Sequence, residues 1–124
     1  MTMIKALNVL GTALEPCSTQ TMTGFLRDGC CHAHTEDLGR HLICARVTAD
    51  FLAFSKARGN DLTTPQKAYG FQGLRPGDRW CLCTLRWKES YEASMAPKVV
   101  LESTHESALD LVTLRQLQEH AWYN

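Results

Sequence analysis

The sequence predicts an α/β protein: a small mixed or parallel sheet of three main strands with helical crossovers, preceded by a loop-rich N-terminal third. Two observations carry this. From residue 41 onward, strand-like and helix-like segments alternate, and alternation favours parallel or mixed pairing through helical crossovers. Before residue 41, Gly11, Pro16, Gly24, Gly29 and Gly39 interrupt the chain too often for long elements.

Taken in order, the apolar stretch Ala6 to Leu10 reads as a short strand at the front. The segment HLICARV at 41–47 has the apolar centre and β-branched end of a strand. Thr48 is an N-cap candidate and Asp50 suits a first helical turn. Phe51, Leu52 and Phe54 make an apolar face, and Gly59 is a left-handed stop after Lys56 and Arg58, so a helix spans about 49–58. Residues 59–78 form a connection with four glycines and two prolines, whose Tyr69, Phe71 and Leu74 should lie on the body. RWCLCT at 79–84 is the second strand. Trp87, Tyr91 and Met95 then recur every four residues as a helix face, which Pro97 closes. KVVLES at 98–103 is the third strand. Ser103 with Glu106 makes a capping box for a helix burying Ala108, Leu109 and Val112. Thr113 with Gln116 makes a second box, for a helix with Leu114, Leu117 and Ala121 on one side.

If the three strands run parallel, their C-terminal ends share one edge of the sheet. Cys44, Cys83 and His105 then meet where open α/β sheets usually bind ligands.

Composition bounds the function. A chain of 124 residues is one domain, 1–124, able to bury a core without cross-links. Thirteen basic residues balance thirteen acidic ones and no basic stripe stands out, so neither a nucleic acid nor an anionic membrane is an expected partner. The opening MTMIKALNVLGTALEP lacks the apolar run of a signal peptide, and no run is long enough to span a bilayer, so a soluble, cytoplasmic protein is expected. In that compartment the six cysteines should be thiols, metal ligands or redox centres. In an exported protein they would allow 15 pairings that sequence cannot choose among.

The chemistry-bearing residues are the cysteines and histidines. Cys81 and Cys83 stand two apart on a strand and should present both thiols to one face, as small buried hydrophobes or as a soft-metal or redox pair. In FLRDGCCHAH at 25–34, Asp28 and Gly29 favour a turn that delivers Cys30 and Cys31, one buried and the other facing a cleft. His32 and His34 have the chemistry of zinc or copper ligands, but a polar loop commonly holds solvated histidines. His105, at the start of a helix, should be held neutral by the free N–H groups there, fit for metal binding or base catalysis. Asp61 and Arg79 are candidate supporting residues. No G-x-x-x-x-G-K, G-x-G-x-x-G or G-x-S-x-G occurs, which argues against phosphate cradles and common serine hydrolases.

Several stretches together resemble one family: NVLGTALEPCS at 8–18, TGFLRDGCC at 23–31, FLAFSKARGNDL at 51–62, GLRPGDRWCLC at 73–83, RWKE at 86–89 and VVLESTHESAL at 99–109. It is a domain-of-unknown-function family of small uncharacterised bacterial and plant proteins, and the resemblance runs from about residue 6 to 121. The matching residues include Cys17, Cys30, Cys31, Cys44, Cys81, Cys83, Asn60, Asp61, Arg79, Trp80 and His105. His32 and His34 depart from the family pattern, which moves the expected site to the cysteines and His105.

Three functional readings follow. In the first, Cys30, Cys31, Cys44, Cys81, Cys83 and His105 bind a soft metal ion, zinc foremost, or a small ligand, with Asp61 and Arg79 in support. In the second, the chain is a thiol-dependent enzyme or redox protein with one reactive cysteine and His105 as base. In the third, the cysteines are core packing and the loop bearing Tyr69 and Phe71 docks a protein partner.

Overall fold

A computed structural model describes residues 6–20 and 22–123. Residues 1–5, the front of the stretch read above for a signal peptide, lie outside the described residues. The described chain contains three strands, β1 (His41–Arg46), β2 (Arg79–Cys83) and β3 (Lys98–Val99). It contains three α-helices, α1 (Ala49–Ala57), α2 (Thr84–Glu92) and α3 (Leu114–Glu119), with short 3₁₀ turns at Lys67–Tyr69, Leu101–Ser103 and Glu106–Asp110.

The strand order is β2-β1-β3, and both ladders are antiparallel. This corrects the expected mixed or parallel sheet. The cause lies in the connection after α1. That helix does not return the chain to the starting edge of β1. Instead the Pro76-Gly77 turn hangs on the end of β1, with Gly77 N–H donating to the Val47 carbonyl at 2.8 Å and Val47 N–H to the Asp78 carbonyl at 2.9 Å. β2 therefore starts where β1 finishes. The α2 segment does act as a crossover, so β2 and β3 run the same way, but β1 lies between them. The predicted convergence of three strand ends on one edge is lost with the parallel topology.

Most elements nevertheless form where their local chemistry puts them. The Thr48 side chain accepts from Phe51 N–H at 3.1 Å and starts α1, while Gly59, at φ 91°, follows its end. The Thr113–Gln116 capping box starts α3 with both reciprocal hydrogen bonds. The Ser103–Glu106 box does not form. His105 caps the 3₁₀ turn instead, its Nδ1 accepting from Ser107 N–H at 3.0 Å, and Leu109 is exposed. The third strand is cut to two residues because the chain enters a 3₁₀ turn at Leu101. The stretch at 6–10 is a turn built on buried Asn8, whose amide donates to Thr12, Ala13 and Glu102 and accepts from Leu10 and Thr12. In the long loop Leu74 is buried and Phe71 meets Trp80 at 5.3 Å, but Tyr69 is exposed.

Residue alternation gives the sheet two unlike faces. Ile43 pairs with Leu82 and Ala45 with Trp80, and these join Phe51, Leu52, Trp87, Val99 and Leu117 in the main apolar core. Cys44 pairs with Cys81 and Arg46 with Arg79, and these point into a second, smaller layer containing Cys17, Cys31 and Val100, with Trp122 packed on it.

Candidate functional site

Cys44 and Cys81 are direct partners across the β1–β2 ladder, but they are not bonded to each other. Their amides point away from the ladder: Cys44 N–H donates to the Thr104 hydroxyl at 3.1 Å and Cys81 N–H to the Thr23 hydroxyl at 2.7 Å. Partners of this non-hydrogen-bonded kind hold their side chains close together. Each receives a cysteine from the loop laid over them. Cys17 bonds to Cys44 with Cα atoms 5.6 Å apart, and Cys31 bonds to Cys81 with Cα atoms 5.4 Å apart. The two disulfides lie side by side, with the sulfurs of Cys17, Cys31 and Cys81 all within 4.8 Å of one another. All four cysteines are buried.

Local chemistry shapes the loop that supplies Cys17 and Cys31. Gly24, at φ 91°, lets the Cys30 carbonyl approach so closely that a Cβ would lie 2.2 Å from its oxygen. Gly29, at φ 90°, similarly faces the Ser18 carbonyl, 2.7 Å from where a Cβ would sit. The Gly29 carbonyl accepts from both Cys17 N–H at 2.7 Å and Ser18 N–H at 3.1 Å. That zips the two cysteine-bearing segments together. A parallel bridge from Val99 to Ala121 then brings Trp122 over the sulfur layer.

Arg46 and Arg79 both stack on Trp122, at 5.2 and 4.9 Å from its ring centroid. Opposed like charges on a ladder repel, and the shared indole face offsets part of that repulsion through cation–π attraction. Among the described residues neither guanidinium has a carboxylate within salt-bridge distance. Arg79 and Cys17 line one open pocket of about 390 Å³, together with Gln20 and Asp78.

The remaining candidates lie elsewhere. Cys30 and Cys83 are half-buried free thiols. Burial, and secondarily the Asp28 carboxylate, push the Cys30 thiol above its ordinary pKa, so it is a poor thiolate. The expected C-x-C pair is split, because β2 ends at Cys83, which lines a different cleft with Trp80 and Leu82. His105 is buried, donates its N–H to the Leu42 carbonyl and makes no hydrogen bond to a sulfur. Burial depresses its pKa, the nearby Glu106 opposing and His32 adding to the effect. Asp61 is exposed; hydrogen bonds from Thr64 and Thr63 hold its carboxyl well below the usual range, and its role there is to fix a turn.

The metal expectation changes accordingly. Metal ligation requires thiolate sulfur, and Cys31, Cys44 and Cys81 are each half of a disulfide in this structure. Cys30, with Asp28 and His32, forms a separate group of ligand-type atoms within 4.8 Å on the surface. Of the six cysteines expected to be thiols, metal ligands or redox centres, four are paired in disulfides and two, Cys30 and Cys83, are free thiols. Cys17, Arg46 and Trp122 are the site residues absent from the sequence-based set; a separation of 27 residues between Cys17 and Cys44 leaves no local signal.

A three-stranded antiparallel sheet, helices on one face and a disulfide-stapled loop on the other, defines a small α+β protein organised around buried cystines. The chain belongs to the family described as an uncharacterized protein conserved in bacteria (DUF2237), which matches residues 7–121. The comparison with curated proteins gave no match. Among the described residues no helix is long and apolar enough to cross a membrane.

Proposed function

We propose that the chain is a thiol–disulfide redox protein whose exchangeable bond is Cys17–Cys44. The observation that carries this is the mutual approach of the Cys17, Cys31 and Cys81 sulfurs, with Cys17 also lining an open pocket beside Arg79. A small anionic thiol is drawn to that pocket by Arg79 and Arg46. Its thiolate attacks Cys17 Sγ; the bond to Cys44 breaks and Cys44 leaves as a thiolate. A second thiol resolves the mixed disulfide, so two thiols are oxidised to one external disulfide and the protein bond is reduced. The freed Cys17 thiolate, favoured by the adjacent cations, is then within reach of Cys31–Cys81 and can attack it, displacing one of its sulfurs.

The test is equilibration of the folded protein in thiol–disulfide buffers of graded potential, followed by alkylation and mass measurement. The expected result is two free thiols, Cys30 and Cys83, in the oxidised protein, and opening of Cys17–Cys44 ahead of Cys31–Cys81 without unfolding. If both bonds persist below about −300 mV and open only when urea unfolds the chain, they are structural and the reading fails.

A further inference from the structure

The free thiol of Cys83 stands in a different setting from the cystine layer. Cys83, the last residue of β2, is the ladder partner of His41, the first residue of β1. The register shifts between His41 and Ile43, and at this bulge, where side chains are re-aimed, both residues face the same cleft. The cleft has a volume of about 240 Å³. Its apolar members are Leu62, Trp80 and Leu82, and its polar ones Asn60 and Arg86.

His41 is held by a carboxylate. Asp37, four residues earlier, is almost wholly buried at its side chain, which is 2% exposed. Its Oδ2 accepts from His41 N–H at 2.8 Å, and its Oδ1 lies 2.7 Å from Nδ1. An ionised carboxylate only accepts, so the proton of the neutral imidazole sits on Nδ1 and the lone pair on Nε2. Gly39 completes the arrangement: a Cβ there would lie 2.7 Å from the ring's Cε1 and 3.2 Å from Nε2. The ring can take this position only over a residue without a side chain. Arg86 uses Nη1 for the Arg58 carbonyl and Glu89, which leaves its Nη2 and Nε donors for an oxygen in the cleft.

We propose that Cys83 is a catalytic nucleophile, with His41 as its general base and Asp37 as the positioning residue, in acyl transfer from small esters or thioesters to water. Nucleophile, base and orienting group are the three parts such chemistry needs. The Cys83 thiol proton passes to His41 Nε2 as the sulfur adds to the substrate carbonyl. Asn60 and Arg86 donate to the developing oxyanion. The C–S bond forms, the bond to the leaving group breaks, and the leaving group takes the proton from His41. Water then attacks the acyl-thioester with His41 again as base, releasing a carboxylic acid and restoring the thiol. No hydrogen bond joins Cys83 Sγ to His41 in this structure; such contacts commonly tighten when substrate binds. A cleft of this volume, below the roughly 300–1,000 Å³ of drug-sized sites, limits the acyl group to a few carbons.

This site is independent of cystine exchange, and its test involves neither disulfide. The full oxidised chain is exposed to p-nitrophenyl acetate, and acetylation is mapped by peptide mass alongside p-nitrophenolate release. The expected result is acetylation of Cys83 at least tenfold faster than of Cys30, with turnover beyond one equivalent. In C83S acetylation at position 83 is lost and p-nitrophenolate release falls to the slow rate of Cys30 and spontaneous hydrolysis, and H41Q lowers the rate tenfold or more. D37N lowers the rate and displaces the pH–rate profile, and its thermal midpoint is measured beside that of H41Q to show that it folds. Should any variant fail to fold, the contrast between Cys83 and Cys30 in the unsubstituted chain decides. Equal acetylation of the two thiols, or a folded H41Q with undiminished rate, overturns the proposal.

Discussion

Replacing Cys17 and Cys44 together by alanine opens a covalent loop of 27 residues, and the size of the effect can be worked out. A cross-link removes loop-closure entropy from the unfolded chain. For a loop of that length the entropy lost is about 12 cal/mol/K, or about 3.5 kcal/mol at 25 °C. The corresponding figure for the separation of 50 between Cys31 and Cys81 is about 4 kcal/mol. The two loops interleave, so the second cross-link acts on a chain the first already restricts, and the losses should sum to less than their total. For a chain of 124 residues, 3.5 kcal/mol moves the thermal midpoint by about 13 °C. The assay is urea unfolding of the oxidised C17A/C44A protein and its parent, followed by tryptophan fluorescence, with C30A as the control that opens no loop. A loss under about 1 kcal/mol, no larger than ordinary single substitutions give, would mean that Cys17 and Cys44 are not joined in the folded protein, and the stapled-loop architecture would fall with them.

His105 supplies a pH-dependent prediction. Its pKa is depressed in the folded state from an ordinary 6.5, so below that value the unfolded chain binds more protons than the native one. Its contribution is therefore intact above about pH 6.5 and lost as pH falls through the lower folded value. H105N keeps an acceptor for Ser107 N–H and should flatten the slope of urea midpoint against pH in that window; an unchanged slope refutes the assignment. G24A should destabilise by more than about 1 kcal/mol, because the new Cβ meets the Cys30 carbonyl, whereas G59A, also at positive φ but with open space around it, should cost less. The comparison is made by chemical denaturation. T113A removes one half of the α3 capping box and should cost about 1 kcal/mol, read as a fall of about 4 °C in thermal midpoint.

Local signals were legible wherever a few neighbouring residues decide the outcome. Thr48, Asp50 and Gly59 bracket α1, Thr113 and Gln116 start α3, and the apolar centres of 41–47 and 79–84 mark the two principal strands. The same level of reasoning expected one of Cys30 and Cys31 to be buried, without saying which; it is Cys31. Family membership was also readable, because it rests on the sequence pattern alone.

Strand direction was decided by tertiary structure. Alternating helix and strand patterns do not state whether a helix or the loop after it returns the chain, and here the turn at Pro76-Gly77, bonded to Val47, made β2 antiparallel. Cysteine pairing was decided at the same level. Cys17 reaches Cys44, and Cys31 reaches Cys81, only once two strands are in register and a glycine-hinged loop lies across them. The approach of His41 to Cys83 likewise depends on one ladder pairing between residues far apart along the chain. Capping, turns and periodicity act over a few residues and are written into the primary order. Register and contact between distant segments are settled by packing of the whole chain.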